Sequence, residues 1–535
     1  MAIRFEHVTF TYPDATAPTL RDVDISIVEG EFALVIGETG VGKSTLLRLM
    51  NGTVPHLSGG TLEGDVLVQG RSIRQHLPNA FAASVGVVPQ DPLTSFVSDV
   101  VEDELAYTME SLGLDSGTMR KRIEETVDLL GLEQLRGHAI RTLSGGQLQR
   151  VAIASVLVAH PAVIVLDEPT SALDPTAADE VLAALQRLVH DVGITVVVSE
   201  HRLERVLQYA DRVVAVDAAG HVRIELPRTI MADATSVPPI VDLAQRMGWD
   251  PVPLTVREAR VSAVELRARL LERRPPLRLV PQSDPAEIVV DRATVRYGLH
   301  TALAGLSLSL AAGEICALMG RNGAGKSTLL RALSGAQVPQ SGRVRVSGVD
   351  PATLRAEAIP HHIGVVPQQP GDLLLGNRVA SECRDADRDA RLAPGTTRSL
   401  LALLAPELDD DAHPRDLSEG QRLCLALAIV LAPEPRALLL DEPTRGLDYA
   451  GKARLRDILQ RAAGLGAAVL VATHDVEFAA ELAHTVAVIA DGELVVHDTA
   501  AHVLTTSPLF APQVSKVLSP QHWLTVDEVV DACGG

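Results

Sequence analysis

The chain has 535 residues, 46% apolar and 22% charged, and its 48 Lys+Arg against 68 Asp+Glu leave a formal charge of -20. That length predicts several domains, and so much apolar material excludes a disordered chain. An acidic surface with only 2 Trp, 5 Tyr and 7 Phe repels phosphate backbones and offers few stacking platforms, so no nucleic-acid partner is expected.

The first informative element is the apolar run Phe32-Ala33-Leu34-Val35-Ile36, which predicts a strand buried on both faces of a parallel sheet. It runs into Gly37-Glu38-Thr39-Gly40-Val41-Gly42-Lys43-Ser44-Thr45, and residues 44–50 have helical composition. A G-x-x-x-x-G-K-[ST] turn between strand and helix is a phosphate cradle. Its glycines let backbone N–H groups face the phosphates, and the helix N-terminus adds partial positive charge. Lys43 is placed to neutralise β/γ oxygens and Ser44 to ligate Mg²⁺. Further strands are predicted over 162–166, 194–198 and 213–216, giving an α/β fold. Asp167 ends one strand, where a carboxylate can hold the Mg²⁺ shell, and Glu168 follows on the opposite side, where it can orient or deprotonate a water.

Residues 226–284 read as a linker, rich in proline and then in arginine (Arg257, Arg260, Arg267, Arg269, Arg273, Arg274, Arg278), with a solvated amphipathic helix as the expectation. Beyond it every landmark returns in the same order. Gly320-Arg321-Asn322-Gly323-Ala324-Gly325-Lys326-Ser327-Thr328 repeats the cradle, and Val365-Val366-Pro367-Gln368 repeats Val87-Val88-Pro89-Gln90. Leu417-Ser418-Glu419-Gly420-Gln421 matches Leu143-Ser144-Gly145-Gly146-Gln147, and Leu440-Asp441-Glu442-Pro443-Thr444 matches Leu166 to Thr170. The lysines are 283 residues apart, the glutamines 278, the aspartates 274, and His201 and His474 are 273 apart. Slow drift puts the length changes in loops and marks a tandem duplication, with repeats at 1–225 and 285–535 and second-repeat strands at 437–440, 468–472 and 486–489.

The longest apolar runs, 151–159 and 423–432, fall short of the roughly 18–20 residues a bilayer crossing needs. The N-terminus lacks an export pattern, and four scattered cysteines (Cys316, Cys383, Cys424, Cys533) suit a reducing cytoplasm; Cys316 and Cys424, in apolar runs, are expected to be buried.

Together these motifs resemble the ATP-binding cassette (ABC) ATPases, whose signature is Leu-Ser-Gly-Gly-Gln. The resemblance covers nearly the whole chain. It implies two P-loop nucleotide-binding domains, each with a helical signature subdomain, pairing head to tail so that each ATP lies between one phosphate loop and the other signature. Ser144, Gly145, Gly146 and Gln147, and likewise Ser418, Gly420 and Gln421, would then face a γ-phosphate. Gln90 and Gln368 would sense Mg²⁺ and the attacking water, His201 and His474 would contact the γ-phosphate, and Tyr12 and Tyr297 would stack on adenine. Asp174 and Asp448 would communicate across the pair. Glu419 stands where the first signature has Gly145. Under head-to-tail pairing it would weaken the site built from Lys43, Asp167 and Glu168 unless it turns outward to solvent, and the expectation is that the Lys326, Asp441 and Glu442 site does more of the turnover.

Shorter stretches resemble the duplicated ATPase of energy-coupling factor importers of vitamins and metal ions: Asn51-Gly52 through Gly60, Ser199-Glu200-His201-Arg202-Leu203-Glu204, Gly248-Trp249-Asp250-Pro251, and Asp441 to Tyr449. That branch implies a membrane scaffold subunit, a separate substrate-binding membrane subunit and a peripheral position on the inner face of the cell membrane. Acidic residues after Gln90 (Asp91, Asp99, Glu102, Asp103, Glu104) would be available to scaffold arginines. The competing reading is a ribosome-associated tandem ATPase; the acidic charge and proline-broken linker fit it poorly.

Overall fold

In the computed structural model, which describes residues 1–13, 15–171, 173–283 and 285–534, the chain divides into two compact units. One comprises Met1–Val241 with Asp250–Thr255, the other Asp242–Trp249 with Val256–Gly535. The first unit carries β1 (Ile3–Thr11), β2 (Leu20–Ile27), β3 (Phe32–Ile36), β4 (Thr61–Val68), β5 (Arg71–Ser72), β6 (Val85–Val88), β7 (Val163–Asp167), β8 (Thr195–Ser199), β9 (Arg212–Val216) and β10 (Val222–Glu225). Six of them form a sheet in the order β10-β9-β3-β8-β7-β6, parallel except for β10; β2-β1-β4-β5 form an antiparallel sheet. The all-buried pattern of β3 and β8 is what a strand covered on both faces requires.

The second unit repeats the plan with β11 (Ile288–Tyr297), β12 (His300–Leu310), β13 (Ile315–Met319), β14 (Ser341–Val346), β15 (Ile363–Val366), β16 (Ala437–Asp441), β17 (Ala468–Ala472), β18 (Thr485–Ala490) and β19 (Glu493–Thr499). Its six-stranded order is β15-β16-β17-β13-β18-β19, the same arrangement element for element, beside an antiparallel β12-β11-β14 sheet. β7, β8 and β16 each end one residue later than the apolar pattern suggests. The last residues, Asp167, Ser199 and Asp441, are polar because they close the strands at the chemically active edge.

The linker segment departs most from its sequence reading. It contains helices at Pro227–Asp233, Pro239–Met247, Val256–Ser262 and Val264–Leu270. Several of its arginines are anchored, while Arg257, Arg269, Arg273 and Arg274 are exposed. Arg260 and Arg267 donate to the carbonyls of Lys516 and Val517 (2.9 and 3.2 Å), Arg246 meets Asp527 at 2.8 Å, and Arg278 reaches Glu528 at 2.8 Å. Arg260 and Arg267 thereby supply donors to carbonyls in the last turn of the helix Gln513–Leu518, whereas Arg246 and Arg278 form ion pairs. Cys424 is half-buried, whereas Cys316 and Cys383 are buried, and burial pushes their thiols up to about 12 and about 11.

Asp387, 3% exposed, accepts from the Gly395 and Thr397 amides (2.6 and 2.9 Å) and the Thr397 hydroxyl (2.7 Å). Burial disfavours its charge, but the Thr397 and Gly395 hydrogen bonds outweigh it and hold the carboxyl below the usual carboxylate range. A folded pKa below the unfolded one means stabilisation present above the unfolded value and lost as pH falls through the folded value. Asp387→Ala should destabilise the second unit by about 2–3 kcal/mol near neutral pH. Urea unfolding at pH 7 and near pH 3 should show that difference shrinking at the lower pH.

Candidate functional site

Each phosphate loop is shaped by a strand end, three left-handed glycines and a buried lysine. Gly37 and Gly320 both have φ +151°, and a Cβ on Gly37 would lie 2.5 Å from Val216 O. Lys43 and Lys326 are each 6% exposed. Lys43 Nζ donates to Gly37 O (2.8 Å) and Glu38 O (2.9 Å), and Lys326 Nζ to Gly320 O (2.8 Å) and Arg321 O (3.1 Å), so each ammonium spans its own loop. The lysines open the helices Lys43–Leu49 and Lys326–Leu333, whose caps are Gly42 and Gly325.

In the second unit this loop lines a cavity of 270 Å³ that brings together Tyr297, Gly323, Gly325, Lys326, Ser327, Thr328, Gln368, Asp441 and Glu442, all singled out from sequence. His300 and Asn322 also line it and were missed, although His300 is only three residues past Tyr297 and Asn322 lies inside the motif. Tyr297 is 43% exposed. Its counterpart is more engaged: Tyr12 Oη lies 3.0 Å from Thr45 Oγ1, and its ring meets Phe10 edge-on at 4.8 Å.

The carboxylates sit at parallel strand ends. β7 and β8 run in register so that Asp167 faces Ser199, whose Oγ donates to Asp167 Oδ1 at 2.5 Å. Glu168 accepts from Gln90 Nε2 at 2.9 Å, and His201 Nε2 lies 3.0 Å from its other oxygen. In the second unit His474 Nδ1 lies 2.7 Å from Glu442 Oε2. Both glutamates take left-handed backbone, φ +49° and +50°. Such non-glycine strain costs about 1–3 kcal/mol and persists only where neighbours enforce it. Burial pushes the Asp441 carboxyl up, opposed by a Ser327 hydrogen bond and by the Lys326 charge. Burial likewise pushes Glu200 up, with the Glu168 charge adding to it and Thr170 hydrogen bonding opposing.

Ser144 and Ser418 cap the helices Gly145–Leu157 and Glu419–Leu431, each in a reciprocal box with Gln147 or Gln421. Gly145, Gly146 and Gly420 thus lie in the first turn, where N–H groups are unspent. Glu419 lies against Gly446, since a Cβ there would overlap its carboxylate. The first repeat has Gly145 and Ala172 at these two places, Ala172 being outside the described residues. Asp174 and Asp448 cap the helices Pro175–His190 and Tyr449–Gly464.

A family model described as "ABC transporter" matches residues 20–171 and 303–445. The chain is 54% identical to an ABC transporter ATP-binding protein of Streptomyces avermitilis, over 99% of this chain and 100% of that one. It is 34% identical to a protein of the same name from Methanosarcina mazei, over 94% and 89%. The chain belongs to the ATP-binding cassette family. Among solved structures, archaeal ABCE1 in a ribosome-bound complex with Pelota covers 94% of this chain and 80% of its own at 22% identity and TM-score 0.64, a likeness of fold. CbiO1 of Clostridium perfringens, described as part of the transporter complex cbiONQ, is 31% identical over 43% of this chain and 91% of its own, with TM-score 0.40.

As ABC cassettes, the two units bind and hydrolyse ATP. Among the described residues no cluster of three or more His, Cys, Asp or Glu could hold a metal ion unaided. Mg²⁺ takes one or two protein oxygens and completes its shell with phosphates and water. The hard-oxygen donors Ser327, Asp441 and Gln368 fit it, as do Ser44, Asp167 and Gln90 by sequence correspondence.

Proposed function

We propose that this chain is the ATP-hydrolysing subunit of a membrane importer of the energy-coupling factor type, moving a vitamin or a metal ion. The observation that carries the reading is that both cassettes group the same candidate residues at their strand ends, Gln90, Glu168 and His201 in one and Gln368, Glu442 and His474 in the other. A chain with two competent motors needs something to drive. None of its described helices is long and apolar enough to cross a membrane. The spans therefore belong to partner subunits: a scaffold and a separate substrate-binding protein, holding this chain peripherally at the inner face of the membrane.

In hydrolysis, water attacks the γ-phosphorus in line, a new P–O bond forms and the bridge to the β-phosphate breaks, giving ADP and phosphate. Glu168 and Glu442 orient the water and draw its proton, and His201 and His474 hold the carboxylates and contact the γ-phosphate. Lys43, Lys326 and the loop amides neutralise phosphate charge, the dominant contribution in phosphoryl transfer. Ser44 and Asp167 in one cassette, and Ser327 and Asp441 in the other, would hold Mg²⁺, which when bound would supply further neutralisation of phosphate charge. Ser144 to Gln147 and Ser418 to Gln421 carry helix N-termini whose positive potential suits a γ-phosphate, and Tyr12 and Tyr297 would face the adenine.

Among the acidic residues considered for scaffold docking, Glu104 is spent internally, accepting from the Val97 and Ser98 amides at 2.9 and 2.7 Å. Glu102 keeps half its side chain in solvent while meeting Arg136 at 3.1 Å. Affinity purification of the tagged chain from detergent-solubilised membranes should recover integral membrane proteins, and Asp99→Lys with Glu102→Lys should reduce that recovery several-fold. Recovery of ribosomes without a membrane protein would establish the translation-associated alternative instead.

A further inference from the structure

The three residues Ser199-Glu200-His201 grip the catalytic turn of the first cassette at successive points. Ser199 Oγ donates to Asp167 Oδ1 at 2.5 Å, and Ser199 O accepts from the Glu168 amide at 3.0 Å. His201 Nε2 stands 3.0 Å from Glu168 Oε1. Between them Glu200, 2% exposed, accepts the Thr170 amide on Oε1 at 2.8 Å. Thr170 is completely buried, two residues past Glu168. That turn is the strained one: Glu168 has φ +49°, and Ser171 closes back on Glu168 O through both its amide (3.3 Å) and its hydroxyl (3.1 Å).

The second cassette is built differently. Ala472 replaces Ser199 and has no hydroxyl, and Thr473 replaces Glu200. Thr473 Oγ1 accepts from the Asp475 amide at 3.0 Å, so it serves its own loop. Placing a carboxyl in the interior is unfavourable unless it is hydrogen-bonded to some purpose. Here the purpose is visible, because the acceptor reaches the turn that aims Glu168.

We propose that Glu200 is a positioning residue for the first cassette: through the Thr170 amide it fixes the left-handed turn that presents Glu168 to the attacking water, a device the second cassette lacks. The proposal rests on the hydrolytic role of Glu168 for its kinetic arm only.

The test compares Glu200→Thr, which installs the second cassette's residue, with Glu200→Gln, which keeps an acceptor oxygen of the same reach. Amide hydrogen exchange is followed in the nucleotide-free full chain on peptides spanning 165–175 and 439–449. Glu200→Thr should exchange the first peptide at least tenfold faster, with Glu200→Gln within twofold of wild type and the second peptide unchanged in both. In a Glu442→Gln background, Glu200→Thr should lower kcat several-fold at constant KM, and Glu200→Gln should retain most of it. Wild-type exchange in Glu200→Thr, or equal acceleration in Glu200→Gln, would overturn the proposal. A wild-type chain without hydrolysis would instead count against the ATPase reading and leave the exchange result standing.

Discussion

Replacing Glu168 and Glu442 together by Gln should cut ATP hydrolysis by about a thousandfold while leaving ATP binding within a few-fold, because general-base assistance is worth roughly 10²–10⁴. Glutamine preserves the shape and one acceptor oxygen, so the contacts from Gln90 and His201 to position 168 can largely persist. What is lost is the capacity to draw a proton from water. The phosphate contacts through Lys43, Lys326 and the loop amides are untouched. Phosphate release and equilibrium binding of labelled ATP separate the two effects. The single variants should differ: Glu442→Gln should cost more than Glu168→Gln, because the head-to-tail pairing that the family resemblance implies would give Glu442 the intact Leu143 to Gln147 signature and Glu168 the one carrying Glu419. A carboxylate in the first turn of the Glu419–Leu431 helix offsets part of the positive potential that favours phosphate there. Equal losses, or a greater loss for Glu168→Gln, would remove the inequality.

The second large effect is expected at Gly320. Gly320→Ala should raise the ATP dissociation constant of that site by at least tenfold and destabilise the second cassette by about 2 kcal/mol or more. Its φ of +151° lies outside the range that side chains accept readily, and a Cβ would overlap Ile489 O on β18. The obstacle is backbone of a central strand, which cannot step aside as a flexible side chain would. Relief must come from the loop, which would carry the amides and the Gly320 carbonyl that holds Lys326 Nζ at 2.8 Å out of place. Nucleotide titration and thermal unfolding would measure the two consequences. Unchanged affinity with a lowered melting temperature would mean that the loop tolerates the shift.

Much of the site was legible because chemistry fixes residue type and spacing together. A cradle needs glycine where the backbone turns its amides inward, a lysine at the helix start and a carboxylate at a neighbouring strand end. Finding that order twice, at spacings of 283, 278, 274 and 273 residues, left little room for coincidence. Other features were not legible, for a common reason. Ser199 reads as an ordinary strand residue until parallel pairing sets it beside Asp167. Glu104 reads as one surface acid among five until its helix turns it under the amides of Val97 and Ser98. The linker arginines read as solvated until the chain brings the carbonyls of Lys516 and Val517 to them, some 250 residues later. Partner choice across long sequence separations is decided by register and packing, and local composition carries no record of it.

The sequence by itself determined that there are two repeats, that each is an α/β unit with a phosphate-loop motif, and which lysine, aspartate and glutamate stand as candidates for the chemistry in each. These follow from local geometry and repeated order. Only the tertiary structure decided how unequal the repeats are in detail. Glu419 is accommodated because Gly446 has no Cβ; the amide-to-carbonyl bond and the histidine contact of Glu168 recur at Glu442, but Ala472 and Thr473 do not supply the side-chain bonds that Ser199 and Glu200 make. The physical reason is that a hydrogen bond or an overlap is a property of two residues brought together. A repeat read along the chain shows each substitution, and only the folded chain shows which neighbour it answers.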